Sequence, residues 1–371
     1  MKYYIIAGEA SGDLHGSNLI KALVREDPEA KVRCWGGDLM QAEGATVVKH
    51  IKELAFMGFI EVVANLGTIL KNIKFCKQDI TEFAPDVIIF IDYPGFNFRI
   101  AEWAKKEGYP THYYISPQLW AWKEGRIKKV KKFVDAMYVI LPFEKDFYEE
   151  KHNYPVEFVG HPLLDAIADR NPVDPESFRE SHGLDQRPII ALLPGSRKQE
   201  ITTMLDVMLE LVPDFPEHQF VIAGAPSQDA EFYEKITKGR SAQFIQNKTY
   251  DLLSVADAAL VTSGTATLET ALFKIPQVVC YKGSWVSYQI AKRLIKLSYI
   301  SLVNLILDKP VVTELIQGEF NTTRLKEELE KILDPYQRSV LFLEYYDLEQ
   351  ALGGQGASEK TAKLIYNAIS Q

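Results

Sequence analysis

Short apolar runs alternate with longer stretches of helical period along the whole chain. In the first half the runs Tyr3–Ala7, Lys31–Trp35, Val87–Ile91, Thr111–Ile115, Ala136–Val139 and Val156–Val159 read as strands. In the second half Ile189–Leu193, Phe220–Ala223, Gln243–Ile245, Ala258–Val261 and Gln277–Val279 do the same. The intervening stretches are long enough for crossover helices. Such alternation predicts parallel sheets covered on both faces. Two of the runs deliver glycine-bearing loops directly to a helix start. Tyr3–Ala7 leads into Gly8-Glu9-Ala10-Ser11-Gly12-Asp13, and Ile189–Leu193 leads into Pro194-Gly195-Ser196-Arg197. Two such starts, far apart in the chain, predict two doubly wound halves whose ligands meet the strand C-termini. A hinge is expected near Gly160-His161-Pro162, where the first half's last strand ends.

The C-terminus carries its own punctuation, Leu352-Gly353-Gly354-Gln355-Gly356. Ser358 then suits an N-cap, with Glu359 in the first turn and an apolar stripe of Ala362, Ile365 and Ile369 behind it. That helix either folds back across the domain junction or packs on its own half, and the pattern favours neither.

At 371 residues the chain is long enough for two domains with full cores. A net charge of −8 argues against a nucleic-acid partner. The three cysteines are far apart and form no metal or CxxC set, which fits a reducing compartment. No leader pattern opens the sequence, and no apolar run reaches the ~18 residues of a membrane span. The expectation is a cytoplasmic protein, with any membrane association peripheral.

Four segments carry candidate chemistry. Thr262–Thr270 places Gly264 and Thr265 at a helix start, where free amides and the helix dipole favour an anion. Glu269 beyond them suits ribose hydroxyls, although a plain turn with a solvated Glu explains it equally well. Arg197 offers a planar fork to a diphosphate. Asp92 ends the most apolar strand, where a carboxylate serves either as a general base or as a helix cap. His15 and His161 also follow strands and could line the cleft, although a lone loop histidine is usually incidental. No Asp-x-Asp or His-x-x-x-His occurs, so no metal is expected. A departing diphosphate would be met by Arg197, Lys282 and helix N-termini. Gly8–Gly16 lacks the GxGxxG spacing, and no other cofactor is indicated.

Two stretches suit a greasy or anionic surface. Over Phe56–Phe75, Phe59, Val63, Leu66 and Leu70 share a helical face with Ile73. In Ser116–Lys132, Trp120 and Trp122 precede Lys123, Arg126, Lys128, Lys129, Lys131 and Lys132, a concentrated basic patch in an acidic chain. A core-facing amphipathic helix and a solvated basic helix are the plainer alternatives.

Taken in order, AGEASGD (Ala7–Asp13), IDYPGFNFR (Ile91–Arg99), SPQLWAWKEGR (Ser116–Arg126), FVGHPLLD (Phe158–Asp165), LLPGSRKQEI (Leu192–Ile201), TSGTATLE (Thr262–Glu269), SLVNLI (Ser301–Ile306) and GASE (Gly356–Glu359) resemble the lipid-A-disaccharide synthase family of Gram-negative bacteria. The resemblance implies a GT-B fold, two Rossmann-like doubly wound domains facing across a cleft, with the terminal helix returning to the N-terminal domain. It implies an acceptor- and membrane-facing domain over residues 1–165 plus about 346–371, and a UDP-sugar-binding domain over 166–345. The implied donor is UDP-2,3-diacylglucosamine and the implied acceptor is 2,3-diacylglucosamine 1-phosphate, joined by a metal-independent inverting transfer at the cytoplasmic face of the inner membrane. Asp92 takes the position of the family's candidate base and Arg197 that of its diphosphate ligand. Glu269 resembles the ribose ligand, and Asn304 the Asn near the donor. Glu9, Ser11 and Asp13 belong to the loop expected to face the cleft. Members of the family exchange chain segments between protomers, so a homodimer is a possible partner. A UDP-N-acetylglucosamine 2-epimerase on the same architecture and a non-catalytic UDP-sugar and lipid binder are the rival readings.

Overall fold

The computed structural model describes residues 1–54, 66–226, 228–237, 239–283 and 298–370. The chain divides into two compact units, Met1–Arg170 with Leu352–Gln371, and Asn171–Ala351. The Gly160 turn therefore lies within the first unit, and the division falls later in the chain than the hinge expected from sequence.

The first unit holds a seven-stranded, all-parallel sheet in the order β3-β2-β1-β4-β5-β6-β7. Its strands are β1 (Lys2–Ile6), β2 (Lys31–Gly36), β3 (Thr46–His50), β4 (Val87–Ile91), β5 (Thr111–Tyr114), β6 (Ala136–Val139) and β7 (Glu157–Phe158). The second unit repeats the plan with six parallel strands, ordered β10-β9-β8-β11-β12-β13. These are β8 (Ile189–Leu193), β9 (Gln219–Gly224), β10 (Ala242–Gln246), β11 (Ala258–Thr262), β12 (Gln277–Tyr281) and β13 (Thr313–Ile316). In both sheets the winding reverses between the first strand and the fourth. β4, β8, β9 and β11 are buried at every position, as strands covered by helices on both faces must be.

Two strands were not legible in the sequence. β3 and β13 lie at sheet edges and are mostly half-buried, so Thr46, Lys49, Thr313 and Glu314 interrupt the apolar signal.

The terminal helix, Ala357–Ile369, belongs to the first unit, where its buried residues Ala357, Ala362 and Ile365 pack beside the Ala10–Glu26 helix. Its cap differs from the expected one. Gly356, in left-handed conformation, is the N-cap, and Ser358 lies inside the helix. The missing acceptor is Asp165, whose carboxylate takes the Gly356 amide at 2.6 Å and the Ser358 amide at 2.9 Å. A carboxylate at that place both satisfies orphan donors and meets the positive end of the helix dipole. The His161 amide donates to the Leu352 carbonyl at 3.0 Å. A side chain on Gly353 would sit 3.2 Å from the Gly160 Cα, so these two glycines, both at positive φ, let the tail cross the turn.

Candidate active-site elements of the two units

In doubly wound sheets the winding reversal leaves a crevice at the strand C-termini. In the first unit that place lies between β1 and β4, and both of its loops carry carboxylates. Glu9 is the exposed N-cap of the Ala10–Glu26 helix, and Ser11 is exposed beside it. Gly8 is required to be glycine, because a Cβ there would lie 2.3 Å from the Tyr93 ring. Across from them β4 ends in Asp92 and Tyr93, both left-handed at φ 40° and 47°. The helix Pro94–Lys106 follows at once, with Pro94 in its first turn. Left-handed backbone is costly for a side-chain-bearing residue, by roughly 1–3 kcal/mol, and Tyr93 also precedes a proline, which disfavours helical angles. The Asp92 carboxyl is half-buried, and its pKa is pushed up to about 6, first by burial and then by the nearby charge of Glu9. Such a carboxylate is ionised at neutral pH yet basic enough to take a proton in a transition state.

Asp13 has a different task from the one expected. It is buried, and its two oxygens accept from the amides of Gly37 at 2.7 Å, Met40 at 3.1 Å and Leu39 at 3.2 Å. It ties the first helix to the turn after β2 and has little capacity left for a ligand. His15 and His161 sit edge to face with ring centroids 6.5 Å apart. Burial lowers their pKa values to about 4 and about 3, so both are neutral at physiological pH.

The Trp/Lys segment divides between the two readings left open for it. Trp120 turns inward. Its indole donates to Glu144 Oε1 at 3.2 Å and its ring meets Phe143 at 4.8 Å, so it is not a membrane-facing group. Glu144 is buried, accepts from the amides of Leu141 and Ile140, and has its pKa raised by burial to about 7. Trp122 is exposed, with the Lys123 ammonium 4.0 Å from its ring centroid. In the Ile127–Phe133 helix, Ile127, Val130 and Phe133 are buried while Lys128, Lys129, Lys131 and Lys132 stay exposed. Phe59 and Val63 lie outside the described residues, as does the side chain of Leu66. In the helix Leu66–Phe83, Leu70 and Phe75 are exposed, and Ile73 packs against the core.

In the second unit the reversal lies between β8 and β11. Gly195, at φ 100°, turns the chain after β8, and a Cβ there would strike the Glu200 carboxylate at 2.2 Å. Arg197 is the exposed N-cap of the helix Lys198–Leu209. After β11, Gly264 and Thr265 are exposed at the start of the helix Thr265–Leu272, whose first amides have no intrahelical acceptor. Glu269 is half-buried one turn on. Tyr250 donates to its Oε1 at 2.6 Å, and burial raises its pKa. Lys282 is exposed just past β12. Asn304, in contrast, is buried and fully engaged. Its amide donates to the Val312 carbonyl and to Glu314 Oε1, each at 2.9 Å, while Oδ1 accepts from the Val312 amide at 2.9 Å. It pins the helix Leu302–Leu307 to Val312, just before β13, and to Glu314 within it.

Sequence reading missed Asn97, Tyr113 and Glu144, which are buried polar groups around the β4 and β6 ends. The one available signal was Asn97, an uncharged polar residue one turn into a helix that follows a strand-ending Asp.

Two parallel doubly wound units in one chain, each with loops at its strand C-termini, give the architecture of the GT-B class. A UDP-GlcNAc 2-epimerase from Neisseria meningitidis bound to UDP-GlcNAc shares the fold at TM-score 0.71 and 14% identity, over 99% of this chain and 100% of that one. An S. aureus MnaA–UDP structure does so at 0.73 and 14%, over 100% and 97%. The family model described as lipid-A-disaccharide synthetase matches residues 3–363. The lipid-A-disaccharide synthase of Geobacter metallireducens is 40% identical over 99% of this chain and 97% of its own length. The one from Coxiella burnetii (strain CbuG_Q212) is 37% identical over 98% of each. The chain belongs to the lipid-A-disaccharide synthase family, and it is a hexosyltransferase.

Proposed function

We propose that the chain transfers 2,3-diacylglucosamine from its UDP derivative to the 6-hydroxyl of 2,3-diacylglucosamine 1-phosphate. The observation that carries the reading is the Asp92 carboxylate, raised to about 6 at the winding reversal of the first sheet. The acceptor oxygen attacks the anomeric carbon as its proton passes to Asp92. The bond from that carbon to the diphosphate breaks, and UDP leaves with configuration inverted. Arg197 and the amides at Gly264–Thr265 meet the leaving charge without a metal. In this reading the second unit holds the nucleotide, with Glu269 toward the ribose and Lys282 near the diphosphate. The first unit takes the acceptor, with Glu9 and Ser11 at the mouth. Water must be kept from the reacting centre in this reading, since hydrolysis competes with transfer.

The lipid side of the reading rests on exposed groups. Trp122, Lys128 and Lys129 suit an anionic membrane surface at the cytoplasmic face. Leu70, together with Phe59, Val63 and Leu66, is proposed to line the acyl-chain trough. No helix among the described residues is long and apolar enough to cross a membrane, so attachment in this reading is peripheral. A possible homodimer stays part of the proposal.

The epimerase reading draws on the shared architecture, which the Neisseria meningitidis UDP-GlcNAc 2-epimerase has in common with this chain. The 14% identity between them marks a shared fold, and a fold hosts many chemistries. Purified protein incubated with both lipid substrates, with and without chelator, decides between the readings. Tetraacyl disaccharide 1-phosphate and UDP, detected by mass spectrometry in both arms, are the expected products. Conversion of soluble UDP-N-acetylglucosamine without an acceptor would overturn the proposal in favour of the isomerase.

A further inference from the structure

Asp92 sits where its own backbone preferences would not leave it. Asp92 and Tyr93 are consecutive left-handed residues, and the second precedes a proline. Strain of this kind persists only where surrounding groups enforce it. The enforcing groups are two side chains with no solvent exposure, both aimed at one atom, the Asp92 carbonyl oxygen. Tyr113, in β5, donates its hydroxyl to that oxygen at 2.5 Å, and Asn97, one turn into the helix after β4, donates Nδ2 at 2.7 Å. The same amide reaches the Ile91 carbonyl at 3.3 Å and the Ile6 carbonyl at 3.5 Å, so it spans the ends of both strands at the reversal. From the other side the Asp92 amide donates to the Ile115 carbonyl at 3.3 Å.

Packing alone does not explain the choice of these residues. Asn97 Oδ1 is buried with no partner among the described residues, a cost that an apolar side chain would avoid. Phenylalanine would fill the Tyr113 site equally well, apart from the bond to Asp92. We propose that Asn97 and Tyr113 are positioning residues that clamp the Asp92–Tyr93 peptide. The clamp aims the Asp92 carboxylate and limits the water that reaches it. The inference rests on the reading of Asp92 as the base and adds what holds that base in place. The ionisable groups facing Asp92 are Glu9 at the end of β1, Tyr93 beside it and Tyr113 from β5. Arg126 reaches the Tyr113 hydroxyl electrostatically.

Tyr113→Phe in the full chain removes one oxygen and one arm of the clamp. Expected are a kcat lower by about ten- to a hundredfold, the cost of a slightly misplaced reacting group, and unchanged affinity for UDP. The acid limb of the pH–rate profile should move to lower pH as water reaches the carboxylate. The acceptor phosphate titrates identically in both proteins, so the difference between the profiles belongs to the enzyme. Placed on an Asp92→Ala background, Tyr113→Phe should change the residual turnover no further. Asn97→Ala should act in the same direction, and if it fails to fold, Tyr113→Phe carries the test alone. A wild-type kcat and profile in Tyr113→Phe, or an equal loss on the Asp92→Ala background, would overturn the clamp. Normal turnover by Asp92→Ala would instead overturn the base reading, so the two failures are separable.

Discussion

The two sheets share one winding, yet their reversals are furnished in opposite ways. In the first unit the reversal is acidic, strained and partly desolvated. Tyr93 presses on Gly8, Asp92 is held left-handed, and Glu9 stands close enough to raise its pKa. In the second unit the reversal is open and cationic. Arg197, Gly264 and Thr265 are exposed at the starts of their helices, where the helix dipole favours an anion. Strain and a raised carboxylate pKa are costs to stability and belong where a proton must move. Open amides and a guanidinium cost little and belong where a phosphate must be gripped and released. In the proposed reading one architecture supplies a reactive half and a binding half, and the difference lies in a handful of loop residues.

Variants at each reversal sharpen that contrast. Asp92→Ala should remove the proton acceptor and lower kcat by about 10²–10⁴-fold, the range for loss of a general base, with disaccharide formation as the readout. Arg197→Ala should weaken UDP binding by roughly ten- to a hundredfold, the cost of one charge-assisted contact, as read by calorimetry. The same variant should leave the acid limb of the pH–rate profile in place, since Arg197 belongs to the other unit. Replacing Lys128 and Lys129 with Ala should weaken binding to anionic vesicles by about thirtyfold at low salt, at ~1 kcal/mol per lysine, and by less as added salt screens the surface. It should leave turnover of detergent-dispersed substrates near normal. Glu9→Gln should have the smallest effect. Asp92 is raised by burial first and by Glu9 second, so loss of that charge lowers its pKa from about 6 only in part. Because the base works deprotonated, activity falls as pH drops through that pKa. The variant should therefore keep activity to slightly more acidic pH, and an acid limb moving upward would contradict the assignment.

The legible part of this molecule was the part written in unbroken apolar runs. β1, β4, β8 and β11 announce themselves because both faces are covered, and the loops they deliver to the reversals could be named from sequence. The edge strands β3 and β13 could not, because half-buried strands admit Lys and Glu. Among site residues, Asp92 and Arg197 stand at the predicted strand ends. Asp13 and Asn304 were expected at the site from the family resemblance alone, through the AGEASGD and SLVNLI segments. Whether such a residue faces substrate or satisfies backbone depends on groups remote in sequence, Gly37 through Met40 for one and Val312 with Glu314 for the other. Trp120 carries the same lesson, since its partner Glu144 comes from the far side of β6. The Ser358 cap was misplaced because the acceptor that replaces it, Asp165, lies on another helix.

The division of labour between the units is tested most directly by titrating UDP into Asp92→Ala protein in a calorimeter. The account predicts wild-type affinity within about twofold, because a carboxylate of the acceptor unit takes no part in gripping the diphosphate. A loss of tenfold or more would contradict it, placing Asp92 in the nucleotide site and leaving the proton without an acceptor.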